Sequence, residues 1–241
     1  MFGTTINALA IVIGGLLGVV FKKGIKQSVS ESLNKALGIS VIVLGFNGVV
    51  SSMFTVGDGG ALSSSGELLL IVSLVLGTFI GEVIDLDGRL ASLSGIVEKK
   101  LKLSGFAQSF VNGTLIYCVG AMAIIGALND GLRGDSSVLL IKSLLDGISS
   151  LVLGATLGIG VIFSAISVFI YQGAIALLAG SLESVLAGEL LLQICAVGYC
   201  LVACIGINFL GAPRIKVANM LPALLVPIVW NLIYPIFASF L

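Results

Sequence analysis

Long apolar windows separated by short polar links set the pattern of this chain. Runs of about 20 apolar residues recur, the length an α-helix needs to cross the hydrocarbon core of a bilayer. They predict spans near 3–21, 36–54, 66–84, 106–128, 138–157, 161–180, 188–209 and 219–240. Residues 138–180 form one stretch of 43, too long for a single crossing. A break near Gly154, Gly158 and Gly160 divides it, because a helix turns or unwinds most cheaply at glycine. A transmembrane β-barrel would need roughly ten-residue segments that alternate apolar and polar, and the sequence has none. The pattern therefore predicts an all-α, polytopic membrane protein of about eight transmembrane helices, with 1–241 as one transmembrane domain.

Composition agrees. Hydrophobic residues make up 58 % of the chain and charged residues 10 %, with a mean hydropathy of +1.20. A soluble domain carries about a quarter charged residues to present a polar surface to water. This chain cannot, so its solvent is lipid. A nucleic-acid partner is excluded on the same composition, and membrane lipid is the partner it implies.

The few charges orient the chain. Lys22, Lys23, Lys26 and Lys35 fall in the link 22–35, Arg89, Lys99, Lys100 and Lys102 in 85–105, and Arg214 and Lys216 in 210–218. With eight spans these ten of the twelve basic residues share one side, and only Arg133 and Lys142 lie towards the other. The positive-inside rule makes the basic side cytoplasmic and puts both termini on the non-cytoplasmic side. Merging the fifth and sixth spans would move Arg214 and Lys216 outside. The start "MFGTTINALAIVIGG" has no basic residue before its apolar run, so it reads as an uncleaved first span. The polar segment 86–105 spaces Leu86, Leu90, Leu93, Val97 and Leu101 as a helix would. It reads as an interfacial helix along the cytoplasmic leaflet, with a solvated linker as the simpler alternative.

Gly14-x-x-x-Gly18, Gly77-x-x-x-Gly81 and Gly154-x-x-x-Gly158 are small-residue patterns that let helix backbones approach closely. They predict a compact bundle and are compatible with a homodimer. Weak similarity of "GTTINALAIVIGG" (3–15) to "GTLIYCVGAMAIIG" (113–126), and of "KALGIS" to "KSLLDGIS", raises an inverted repeat with halves near 3–84 and 106–180, followed by a C-terminal helix pair at 188–240. Inverted repeats are frequent in transporters. The shared "GELLL" at 66–70 and 188–192 does not fit that scheme.

Candidate chemistry is sparse. The chain has no His and four Cys, which removes zinc motifs, Ser-His-Asp triads and histidine relays. Cys118, Cys195, Cys200 and Cys204 read as small apolar fillers. No cofactor or metal is implied, and without a nucleophile–base set an enzyme is not expected. What stands out is "GALNDGLRGDSSVLLIKSLLDGISS" (126–150), where Asp130, Arg133, Asp135, Lys142 and Asp146 crowd together. Asp135 followed by two serines reads as a helix N-cap, leaving Asp130 and Arg133 in a short external hairpin. Lys142 and Asp146 then share a helix face, with Asp146 roughly 12 Å below the start, near the midplane. A lone carboxylate there costs at least about 2.5–3.5 kcal/mol. It must therefore face the bundle interior or a wet cavity, paired or protonated. Asp146 reads either as a substrate, ion or proton site with Lys142 as partner or gate, or as half of a pair that pins helix packing. Asn7, Asn47, Asn112 and Gln172, each inside an apolar run, are candidates to line the same place or ordinary interhelical hydrogen bonds. Glu82 lies near a span end and can snorkel. Pro222, Pro227 and Pro235 predict a kinked or broken last span.

These motifs carry a resemblance. "GTTINALAIVIGGLLG", "GTFIGEVIDLD" (77–87) and "NGTLIYCVGAMAIIGALNDGLRGD" running into "KSLLDGIS" resemble the YqgA/YdfK-like family of bacterial integral membrane proteins over essentially the whole chain. The resemblance implies a bacterial inner-membrane protein and makes Asn129, Asp130, Asp135, Lys142 and Asp146 positions of the family's motif. Its members are loosely called transporters, without an established activity. Two readings follow: a secondary transporter or channel for a small solute or ion with its polar site at Lys142/Asp146, or a membrane scaffold or partner subunit whose intramembrane charges fix assembly.

Overall fold

The computed structural model describes residues 1–22, 27–56, 59–89, 92, 105–119, 121–182 and 188–238. In chain order these form α1 (Phe2–Lys22), α2 (Gln27–Met53), a hairpin of β1 (Phe54–Val56) and β2 (Leu62–Ser64), α3 (Glu67–Ile84), α4 (Phe106–Cys118), α5 (Ala121–Arg133), α6 (Ser137–Leu157), α7 (Gly160–Leu177), the single turn α8 (Ala179–Leu182), α9 (Glu189–Phe209), a 3-10 helix (Val217–Leu225) and α10 (Val226–Ala238). The polytopic all-α class is as the apolar windows predict. The hairpin is its one β feature among the described residues, pairing Phe54 with Ser64 and Val56 with Leu62. The chain forms two compact units, one of Met1–Leu37 and Arg89–Val185, the other of Gly38–Gly88 and Leu186–Leu241.

Helices α1, α2, α3, α6, α7 and α9 are each long and apolar enough to cross a membrane. Three segments depart from the expected spans. Helix α2 begins at Gln27, so most of the expected link 22–35 is helical. At 27 residues it is about 40 Å long and exceeds the hydrocarbon thickness, which leaves its polar first turns for the headgroup zone. The expected continuous helix over 106–128 is instead α4 and α5, which meet at 63°. Val119 between them is extended, at φ −80° and ψ 134°, and a hydropathy window is blind to one extended residue in an apolar run. The last expected span, 219–240, is a 3-10 helix with Pro222 inside it and then α10. Most of the expected interfacial helix 86–105 lies outside the described residues.

Directions of packing show how these pieces cross. In the first unit α1 and α6 run parallel, with Gly3 against Leu139, Gly14 against Gly147 and Gly18 against Leu151. Helices α4 and α5 both run along α7 in its own direction, Ser109 lying against Gly160, Gly113 against Ser164 and Gly131 against Ala176. A re-entrant loop would bring residue 131 back to the level of Gly160, so the bent pair is one broken crossing. In the second unit α2 is antiparallel to α9, with Gly38 against Gly206 and Gly48 against Tyr199, and α3 is antiparallel to the 3-10 helix.

Close approach is what the glycines supply. A Cβ on Gly14 or Gly18 would overlap the Gly147 or Leu151 carbonyl, and one on Gly77 or Gly81 would overlap Ala223 or Asn219. These small-residue faces are used inside the units, with contact at backbone distance as in glycine-mediated membrane packing. Gly158, at φ 94°, ends α6 where the sequence predicts the break. The core of the first unit is built on Ile11, Tyr117, Leu139, Leu153, Val161 and Val168, all buried. Leu144, Leu145 and Ile148 of α6 are exposed, as expected where lipid is the solvent.

Candidate functional site

Helix α6 turns one polar stripe inward. Leu139, Lys142, Ser143, Asp146, Ser150 and Leu153 are all buried, a three- and four-residue spacing that keeps them on one face. Asp146 is the tenth residue of the helix, roughly 14 Å from its start and near mid-depth. Lys142 Nζ donates to both carboxylate oxygens, at 2.9 Å to Oδ1 and 2.7 Å to Oδ2. Each residue is 6 % exposed. The closed pair is neutral, which offsets part of the cost of holding either charge in a membrane.

Two neighbouring helices bring amides to it. Asn7 of α1 and Gln172 of α7 are both 0 % exposed. Asn7 Nδ2 donates to Gln172 Oε1 at 3.3 Å, and the Asn7 side chain also reaches Asp146. Asn7 Oδ1 and Gln172 Nε2 have no hydrogen-bond partner among the described residues. On the α4 side, Ser150 Oγ donates to the fully buried Tyr117 hydroxyl at 2.8 Å. Tyr117 lies within electrostatic reach of Asp146, and Cys118 within reach of both members of the pair. The helix break at Val119 follows directly.

The structure thus gathers Lys142, Asp146, Asn7 and Gln172. It places the other candidates elsewhere. Asn112 is buried on α4 with its Nδ2 unpartnered among the described residues. Asn47 is exposed on α2, because the inward face of that helix is Val41, Gly45 and Gly48 and residue 47 is turned away from it. Asp130 is a correction: it belongs to α5 and is buried, not part of an exposed hairpin. Its oxygens accept from Ser136 Oγ at 2.6 Å and lie 3.1 Å from the Met1 amino nitrogen. Arg133 likewise ends α5 instead of starting a loop. Asn129 is half-buried in α5 and its carbonyl accepts from the Asp135 amide. Asp135 is exposed just before Ser136, the N-cap of α6, and accepts from Ser137 N at 3.0 Å and Ser137 Oγ at 2.6 Å. The hydroxyl bond and then the amide bond hold its carboxyl below the usual carboxylate range. Glu82 pairs with Lys216 at 3.1 Å, both half-exposed.

Sequence reasoning passed over Tyr117, Ser143 and Ser150. The serines carried a readable signal, since 143, 146 and 150 repeat at helical spacing beside Lys142. Tyr117 carried little, because one aromatic in an apolar window reads as lipid-facing or core.

Fold and site together define a polytopic α-helical membrane protein with a charge-paired polar centre inside one of its two units. The chain belongs to the family described as protein of unknown function DUF554, whose model matches residues 2–232. It is 35 % identical over 227 residues to the uncharacterized membrane protein YdfK of Bacillus subtilis, covering 94 % of each chain. It is 27 % identical to the uncharacterized protein YqgA of Escherichia coli, over 93 % of this chain and 94 % of that one. No solved structure matches it.

Proposed function

We propose that this protein is a secondary transporter or channel for a small solute or ion, with Lys142, Asp146, Asn7 and Gln172 as its polar site in an inner membrane and both termini on the non-cytoplasmic side. One observation carries the reading: beside a mid-depth ion pair, two fully buried amides each keep a polar atom without a partner among the described residues. Buried polar atoms are nearly always satisfied, because leaving one bare costs free energy. A ligand or its water would satisfy both at once. The break after Cys118 supplies a joint next to the pair, of the kind at which elements move in gating. The orientation rests on the basic residues of 22–35, 85–105 and 210–218.

The bidentate closure of Asp146 by Lys142 favours a second reading, in which the pair pins helices for packing or assembly. Thermal melting of purified wild type and Asp146→Asn against a panel of ions and metabolites separates the two. A ligand bound only by the folded state adds RT ln(1 + [L]/Kd), roughly 2.7 kcal/mol at a hundredfold excess over Kd. A shift present in wild type and lost in Asp146→Asn supports transport at this site. A mutant that only melts lower, with no ligand shifting wild type, supports the packing reading.

A further inference from the structure

Resting on that reading of the site, we propose that the ligand is a monovalent cation exchanged for a proton of Lys142: the cation takes the place of the ammonium at Asp146 and the neutral amine is left behind. The argument is charge balance. Lys142 and Asp146 sum to zero, and both are 6 % exposed at mid-depth. A cation that simply added itself would leave a net positive charge buried in lipid, which is strongly disfavoured. Neutrality returns when Lys142 releases one proton: the Nζ–H bond breaks, its electron pair stays on nitrogen, and the proton passes to water. The site then holds M⁺ with Asp146⁻ and a neutral Lys142, again zero. A divalent ion would leave it at plus one, so the balance selects single charge. An ammonium that gives up one proton becomes a neutral amine, whereas a guanidinium keeps its proton.

The donors agree. Asp146 offers two carboxylate oxygens, and Asn7, whose amide N–H side reaches Asp146, carries on the same amide an Oδ1 that is buried and unpartnered among the described residues. Carboxylate and carbonyl oxygens are the ligands that hard cations prefer. Among the described residues, Gln172 of α7, which bonds Asn7, carries no charge, while Tyr117 and Cys118 of α4 lie within electrostatic reach of the pair and are both able to titrate. Neither α4 group needs to change protonation in this exchange. The mirror-image case is an anion on Lys142 with a protonated Asp146. Gln172 Nε2, unpartnered among the described residues, is a donor for it, and that case moves the proton in the same direction as the ion.

The test is full-length protein in phospholipid vesicles carrying an internal pH dye. Vesicles loaded with sodium, lithium or potassium chloride are diluted into choline buffer. The expected result is internal acidification as the cation leaves, unchanged when potassium and valinomycin clamp the voltage in the sodium and lithium runs. Lys142→Arg keeps the charge pair, melts close to wild type and loses the counter-flow, which a packing role would not require. Should that variant fail to fold, the double variant Lys142→Met/Asp146→Asn serves: it is neutral, holds no exchangeable proton in the pair, and is expected to lose both cation efflux and counter-flow, whereas counter-flow retained there overturns the inference. Counter-flow retained in Lys142→Arg, protons accompanying chloride, or no ion-driven proton movement in wild type overturns the inference. If a neutral solute then shifts the melt of wild type and not of Asp146→Asn, the site reading stands without it. With no ligand of any class, both fall.

Discussion

Ser150 on α6 donates to the hydroxyl of Tyr117, two residues before α4 breaks, and neither group meets solvent. The bond ties the polar stripe to the end of α4, beside its break. Removing one partner strands the other, at about 1–3 kcal/mol, whereas removing both can be nearly neutral. Tyr117→Phe and Ser150→Ala are each expected to lower stability in detergent by about that amount. The double variant should lose clearly less than the sum. Additive losses in a double-mutant cycle would show that the bond is not coupled.

The parallel packing of α1 on α6 gives a second prediction. Gly14 faces the Gly147 carbonyl so closely that a Cβ would overlap it. Forced overpacking costs about 1–3 kcal/mol and more where backbone must move. Gly14→Val should therefore fall at or beyond the top of that range in a denaturant titration. Gly180→Ala is the control: a Cβ there meets no atom within 4 Å, and the gain in helix propensity predicts an unchanged or slightly raised melt.

The two ends of the pH scale should be governed by different surface groups. Asp135, held below its ordinary value by Ser137, contributes stability that is complete above the unfolded carboxylate value near 3.8 and is lost as pH falls through the lower folded one. Lys216, raised above 10.5 by Glu82, contributes stability that is complete below 10.5 and is lost as pH rises through the folded value. Asp135→Asn should flatten the acid limb of a melting-versus-pH curve and leave the alkaline limb alone. Lys216→Met should flatten the alkaline limb. Both groups are exposed, so both effects are small and the Lys216–Glu82 effect should fade in high salt.

How much of this could be read from residues alone depended on which property each residue carries. Length and hydropathy located α1, α3, α6, α7 and α9 within a few residues, because the bilayer fixes how long an apolar helix must be. Gly158 and Pro222 announced their breaks, since both residue types oppose continued helix. Val119 did not, because nothing in its side chain marks it as extended within an apolar run. Depth was legible for Asn7, Asn47 and Asp146 alike, but facing only for Asp146, whose charge demands an interior. Whether Asn47 points to a neighbour or to lipid is decided by Gly45 and Gly48 meeting Ala203 and Tyr199, contacts between segments more than 150 residues apart. Asp130 looked like a hairpin residue because the N-cap signal at Asp135 left it between two spans. In fact Gly131 lets α5 press on the Ala176 carbonyl, which keeps the helix going and buries the carboxylate.

The last prediction concerns whether the Lys142–Asp146 pair is present for stability. Removing one member of a buried pair leaves an uncompensated charge and typically costs about 3–5 kcal/mol, while replacing both with neutral groups of similar size is often neutral or stabilising. Lys142→Met and Asp146→Asn should each melt well below wild type. The double variant, with no buried charge on this face of α6, should recover most of the loss. A double variant as stable as wild type means packing alone gives no reason to keep two charges 2.7 Å apart in mid-membrane. Their retention then falls to what they do when a ligand or proton arrives. A double variant that melts as low as either single one would instead make the pair a structural fastening.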